Sequence, residues 1–219
     1  MLKQSLSNEL IKKFNNYIKE IEKEKSEGNY QNEMTIIDNA FKDIFRLGKK
    51  FFSSFSTENL IDMAKINGNS NADKCIMMAK LLEETGFVLE KQDKVNESFY
   101  INQKSLYIFL EAFQNIRESS TLKVYLKDIK PLTENLIQYE LPEKLEIRIR
   151  DYYLNQGDYS KADDMTYYIL ENSNYEKRLV KNSLDFYKAL LEIDSSTLEK
   201  GGLSIPEIES SIKDLSCKL

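Results

Sequence analysis

LPEKLEIRIRDYYLNQGDYSKADDMTYYIL, residues 141–170, reads as one helix, a tight turn and a second helix. Pro142 suits the first turn of a helix, and Leu145, Ile149, Tyr152 and Tyr153 recur behind it at helical spacing. Gly157 ends that helix. Asp158 caps the next, on which Tyr159, Ala162, Met165 and Ile169 face inward.

The same alternation of capping residue and apolar stripe runs along the chain. Ser7 is read as an N-cap, with Glu9 in the first turn and Leu10, Phe14, Tyr17, Ile18 and Ile21 leading to a stop at Gly28. A second helix carries Tyr30, Met34, Ile37, Ala40, Phe41, Ile44 and Phe45 and stops near Gly48. Residues 49–68 are less regular, with Ser56 capping a short helix. The INGNSNAD stretch, residues 66–73, is a polar loop that lacks the glycine and the closing acid of a calcium loop. A strong stripe from Cys75 to Leu89 follows. Asp93 is read as the cap of the next helix, which carries Val95, Phe99, Asn102, Leu106 and Phe109. Ser120 opens a helix through Leu136 that Pro131 must kink or restart. Asn174 is read as the start of a long helix and Asp194 as the cap of a short turn ending at Gly201–Gly202. Ser204 and Glu207 form a capping box, with Pro206 in the first turn of a last helix.

The composition narrows the function classes. The formal net charge is −5, so a global basic field for nucleic acid is missing. The chain contains no histidine, which removes the commonest general base, the commonest zinc ligand and the usual near-neutral pH switch. Cys75 and Cys217 lie far apart and read as two free, reduced thiols, with Cys217 the more reactive. The N-terminal MLKQSLSNELIKKF lacks a long apolar region and a small-residue cleavage site, so a cytoplasmic protein without a membrane span is expected.

Three places share one helix–turn–helix spacing: Gly28 with Tyr30 and Ala40, Asp93 with Val95, Ser98 and Ser105, and Gly157 with Tyr159 and Ala162. Their turns are separated by 93 − 28 = 65 and 157 − 93 = 64 residues, close to twice the tetratricopeptide period of about 34. In each, a turn residue reverses the chain, Tyr or Val plugs the gap below it, and a small residue lets the helices approach. One such pair cannot bury its apolar face alone, so pairs stack. From LLEETGFVLEKQDK through residues 141–170 to FYKALLEIDSSTLEKGGLSIPEIESSIKDL, the chain resembles an uncharacterised bacterial family of tetratricopeptide-like proteins. Gly201–Gly202–Leu203 with Pro206 and Glu207 is the most specific part. The resemblance covers roughly residues 40–219 and implies an all-helical, cytoplasmic bacterial protein. It carries over no activity and no site residues. The chain departs from the tetratricopeptide pattern in having no tryptophan and no closing proline.

The expected fold is all-α: eight to ten helices as tetratricopeptide-like stacked hairpins in a short right-handed solenoid, closed by a C-terminal capping helix. One domain is expected over 1–219, with a less regular part at 1–70, a repeat core at 71–171 and a cap at 172–219. Tyr153 and Tyr159 read as packing residues. Arg148, Tyr152, Tyr167 and Tyr168 are the candidate binding groove, since tyrosine offers a large contact area with a polar tip and guanidinium grips carboxylates. No catalytic, cofactor or metal residue is assigned. Glu83–Glu84 and Asp163–Asp164 are helix neighbours pointing about 100° apart and do not pair for acid–base work. Phe41, Phe45, Phe51, Phe52 and Phe55 read as a core cluster rather than a membrane face. The functional expectation is a non-enzymatic protein- or peptide-binding scaffold. The alternative is a cytoplasmic sensor of a small molecule or signalling peptide. Neither nucleic acid nor membrane is expected as a partner, and a homodimer is compatible with the pattern.

Overall fold

The computed structural model describes residues 2–66 and 68–219, with side chains from residue 8 onward. The described residues form twelve α-helices, one 3-10 segment and no strand; the nearest approach to a strand is an isolated bridge between Ile66 and Asn69. The helices are α1 (Leu2–Ser26), α2 (Tyr30–Phe45), α3 (Lys49–Ser54), α4 (Thr57–Ala64), α5 (Ala72–Lys91) and α6 (Val95–Asn115). The 3-10 segment (Thr121–Asp128) follows, then α7 (Ile129–Leu136), α8 (Glu143–Gln156), α9 (Tyr159–Asn172), α10 (Lys177–Leu190), α11 (Ser195–Lys200) and α12 (Ile205–Ser216). No described helix is long and apolar enough to cross a membrane. The chain divides into two compact units, one ending at Tyr139 and one spanning Glu140–Leu219.

The short extra helices raise the number above the expected eight to ten. Pro131 falls in the first turn of α7, so the segment opened by Ser120 restarts there rather than running through. Several other boundaries also differ from expectation. The α1 backbone is helical from Leu2, so the helix does not begin at Ser7; the Ser7 side chain, like the whole of Asn67, lies outside the described residues. Helix α2 ends near Gly48 as expected, with Arg46 its cap in the left-handed region at φ 65°. Asp93 does not cap α6 through its side chain; it is itself the left-handed turn residue, at φ 63°. Pro142 is the N-cap residue of α8 rather than part of its first turn. Asn174 and Tyr175 are both left-handed, at φ 50° and 57°, so α10 starts three residues after Asn174.

Three hairpins dominate the packing: α1 with α2, α5 with α6, and α8 with α9. Each turns on a left-handed residue, Gly28 at φ 71°, Asp93 and Gly157 at φ 72°. Glycine takes that backbone freely, and aspartate is among the few other residues that tolerate it.

In the first unit, α5 is buried nearly all round and lies against α2, α4, α6 and the 3-10 segment. Two serines of α6 stitch it in place. Ser98 donates to the Gly86 carbonyl at 2.8 Å and Ser105 to the Ala79 carbonyl at 2.7 Å. A Cβ on Gly86 would lie 2.0 Å from Asn102 Oδ1, so the glycine permits this close crossing. Phe41 stacks on Phe52 with centroids 4.3 Å apart, and Phe45 and Phe51 close around Phe52. Of the expected gap-fillers, Tyr159 is buried and Tyr30 meets Phe87 edge-on, but Val95 is 57% exposed and plugs nothing.

In the second unit, the Gly201–Gly202 turn between α11 and α12 backs onto the α8–α9 turn, and Ser160 N–H donates to the Gly201 carbonyl at 3.0 Å. Glu207 accepts from both the Ser204 N–H and the Ser204 hydroxyl, forming the capping box that starts α12. Asp158, Asp194, Ser56 and Asn71 all cap their helices through their side chains.

Candidate functional site

Helix α6 has its buried stripe at Ser98, Ile101, Ser105, Leu106 and Phe109. Val95, Phe99 and Tyr100 therefore face away from that stripe or lie at its edge. The chain returns past them at the end of α7, where Tyr139 N–H closes the last turn on the Leu136 carbonyl. The Tyr139 ring stands edge-on to Phe99 at 5.2 Å, and Phe99 is edge-on to Tyr100 at 5.8 Å. Tyr100 is 64% exposed and Tyr139 is 56% exposed. Edge-to-face pairing with Phe99 favours one orientation of both rings. The result is an aromatic surface in which the rings of Tyr100 and Tyr139 both pack against Phe99.

The residues singled out from sequence lie on α8 and α9 of the second unit, and all four are half-buried. Arg148 and Tyr152 are four apart and share a face of α8; the Tyr152 ring lies 5.7 Å from Tyr153. Tyr167 donates its hydroxyl to Ser211 Oγ on α12 at 2.9 Å, and its ring is 6.5 Å from Tyr187. Tyr167 thus ties α9 to α12. Tyr168 is its neighbour and points about 100° away, so the two tyrosines cannot line one groove wall together. The bond Tyr187 makes to Asp163, 2.6 Å long, lies beside this tie. Burial, reinforced by Asp163, pushes the Tyr187 phenol far above its usual range, and burial raises Asp163 too. Arg150, next to the predicted groove, is buried and committed to Asp151 and Asn182, with its guanidinium over the Phe186 ring at 5.0 Å.

Sequence reasoning missed Tyr100 and Tyr139. The available signal was that Tyr100 sits one position off the α6 stripe, where a helix that needs no second apolar face has no packing use for an aromatic ring.

Charged groups also gather inside the first unit. Lys80 on α5 donates to Glu83 at 2.9 Å and to Asp128 at 2.8 Å, and pairs with Glu84 at 2.9 Å. Burial opposes its charge, but Glu84, Glu83 and Asp128 overcome this and hold its pKa well above the usual lysine range. Burial likewise opposes ionisation of Glu84, and Lys80 and Lys25 outweigh it and keep its pKa low. The ammonium occupies the centre that three carboxylates would offer a cation. Among the described residues, no set of three or more acidic or thiol side chains is arranged to hold a metal ion. The Cys75 thiol is buried and pushed up to about 11 by that burial, so it is a poor nucleophile, while Cys217 is exposed.

A cleft of about 350 Å³ opens where the start of α5 meets the end of α6, lined by Asn71, Asp73, Asn115, Arg117 and Ser120 among others. Asp73 accepts from the Ser120 hydroxyl at 2.5 Å across its wall. Neither the curated proteins nor the solved structures contain a match to this chain. A family model matches residues 1–219, and the chain belongs to that family of unknown function, DUF6483.

Proposed function

We propose that this protein is a non-enzymatic binding module whose helical hairpins, of tetratricopeptide type, present a surface to a segment of another protein. The observation that carries the reading is the aromatic surface of Phe99, Tyr100 and Tyr139. Tyrosines that are large, exposed and held by ring packing give contact area at low entropic cost, the character of a binding hot spot. The repeated left-handed hairpin turns at 28, 93 and 157 support the repeat architecture. In the second unit, Arg148 and Tyr152 on one face of α8 offer a further binding surface, with Tyr167 held by Ser211 and Tyr168 turned to another face of α9. The reading places the protein in the cytoplasm and leaves a second copy of the chain as one form the partner takes.

A photo-crosslinking residue at position 100 tests this in the cell. A discrete adduct that disappears when Tyr139→Ser is added supports the reading. The absence of an adduct, or one indifferent to Tyr139, opposes it. The polar cleft at the start of α5 favours a second reading, a sensor of a small polar molecule. There, a ligand screened by thermal shift stabilises the wild type but not Asp73→Ala.

A further inference from the structure

Glu33 lies on the buried face of α2, and its exposure is 0%. Both of its carboxyl oxygens are buried without a hydrogen-bond partner. An ionised carboxylate in that position loses its water and gains nothing in exchange, whereas the neutral acid is tolerated. The charged groups around it do not supply the missing cation. On α1, Lys25 is engaged with Glu84 of α5 at 2.7 Å and lies 3.7 Å above the Phe87 ring. Glu24, also on α1, and Glu84, from α5, both act against a negative charge on Glu33. Glu84 is itself bound to Lys80, which is shared with Glu83 and Asp128. A negative Glu33 therefore finds two acids and one lysine already taken.

We infer that the α1–α2 hairpin seats on α5 with a proton on Glu33 and loosens when that proton leaves. Loss of the proton sets Glu33 and Glu84 in competition for Lys25, which acts on both. The contact between α1 and α5 that Lys25 makes is then the first to exchange. Burial, with Glu84 adding to it, raises the Glu33 carboxyl to about 7, so the transition falls where cells change pH. The chain has no histidine, so a buried acid takes the role that histidine usually plays.

Amide exchange of the full chain, wild type against Glu33→Gln, tests the inference. Comparing variants at one pH cancels the intrinsic pH dependence of exchange. At pH 4, below both the opened-chain and the folded value of Glu33, the two proteins should protect α2 alike. At pH 8, above both values, ionisation should make the wild-type hairpin open roughly 300-fold more often than Glu33→Gln. Equal protection at both pH values overturns the inference, as does a difference of the same size at both. A carbon-13 titration of the wild-type side-chain carboxyls, assigned with Glu33→Asp, decides the matter if Glu33→Gln fails to fold. A Glu33 midpoint near 7 sustains the inference and one in the ordinary carboxylate range overturns it.

Discussion

A Cβ at position 201 would lie 2.2 Å from the Gly157 carbonyl oxygen and 2.2 Å from Cδ2 of the Tyr159 ring. Neither neighbour can yield, because one is backbone and the other is a buried ring. Gly201→Ala is therefore expected to cost about 3 kcal/mol, as overpacking of a fixed contact does. Gly157 has the opposite problem: open space around its Cα but a φ of 72°. Gly157→Ala should cost only the left-handed backbone penalty of about 1 kcal/mol. Urea denaturation of the two variants checks the order. Equal losses would mean that the Gly201–Gly202 turn does not rest on the α8–α9 turn as described. Gly28 and Gly157 were legible in the sequence as turns because glycine is the default left-handed residue. Arg46 and Tyr175 were not, because neither residue type favours the left-handed region. Glu33 and Lys80 were equally hidden: charged residues read as surface, and the burial of Lys80 rests on distant Asp128 while that of Glu33 goes with a raised carboxyl pKa.

At the scale of helices, the α5 crossing decides the first unit. Its apolar stripe was plain from Cys75 to Leu89, yet the helix proves buried on other faces too, including Lys80 and Glu84. The partner of Lys80 in the 3-10 segment, Asp128, is 48 residues away, a separation no periodicity reveals. Lys80→Met keeps the length of the side chain and removes the charge. It leaves Glu83, Glu84 and Asp128 together without their shared cation, and at pH 7 should destabilise the protein by about 3–5 kcal/mol. The loss should shrink toward pH 5, as protonation relieves the carboxylates. A loss below about 1 kcal/mol in urea melts would show that the cluster is solvated like a surface ion pair. The hairpin turns at 28, 93 and 157 were legible as a repeating pattern. The aromatic surface was not, because a stripe says which residues face inward and not which outward ones a later helix end will join. Tyr139 reaches Phe99 from the end of α7, 40 positions along the chain.

For the whole molecule, Glu33 sets a pH dependence with a definite sign. Its carboxyl is raised from 4.5 to about 7 in the folded protein, so between those values the folded state holds the proton and the unfolded state does not. This contribution to stability is complete below pH 4.5, declines as pH rises, and is gone above about 7. At about 1.4 kcal/mol per unit the decline amounts to roughly 3 kcal/mol. Denaturation of the wild type should fall behind Glu33→Gln across that window and run parallel to it at higher pH; parallel curves throughout would place an ordinary carboxyl at position 33. All-helical architecture was readable from the scarcity of glycine and proline and from the 3.6-residue periodicity. The proposed binding role rests instead on a surface assembled by the fold. It is tested most directly by native mass spectrometry of the full chain, gently isolated from its own host, beside the Tyr100→Ser, Tyr139→Ser double variant. The account predicts an added protein mass of several kilodaltons or more on the wild type, reproducible and missing from a variant that is still folded. A bare chain in both, or the same adduct on both, would contradict it.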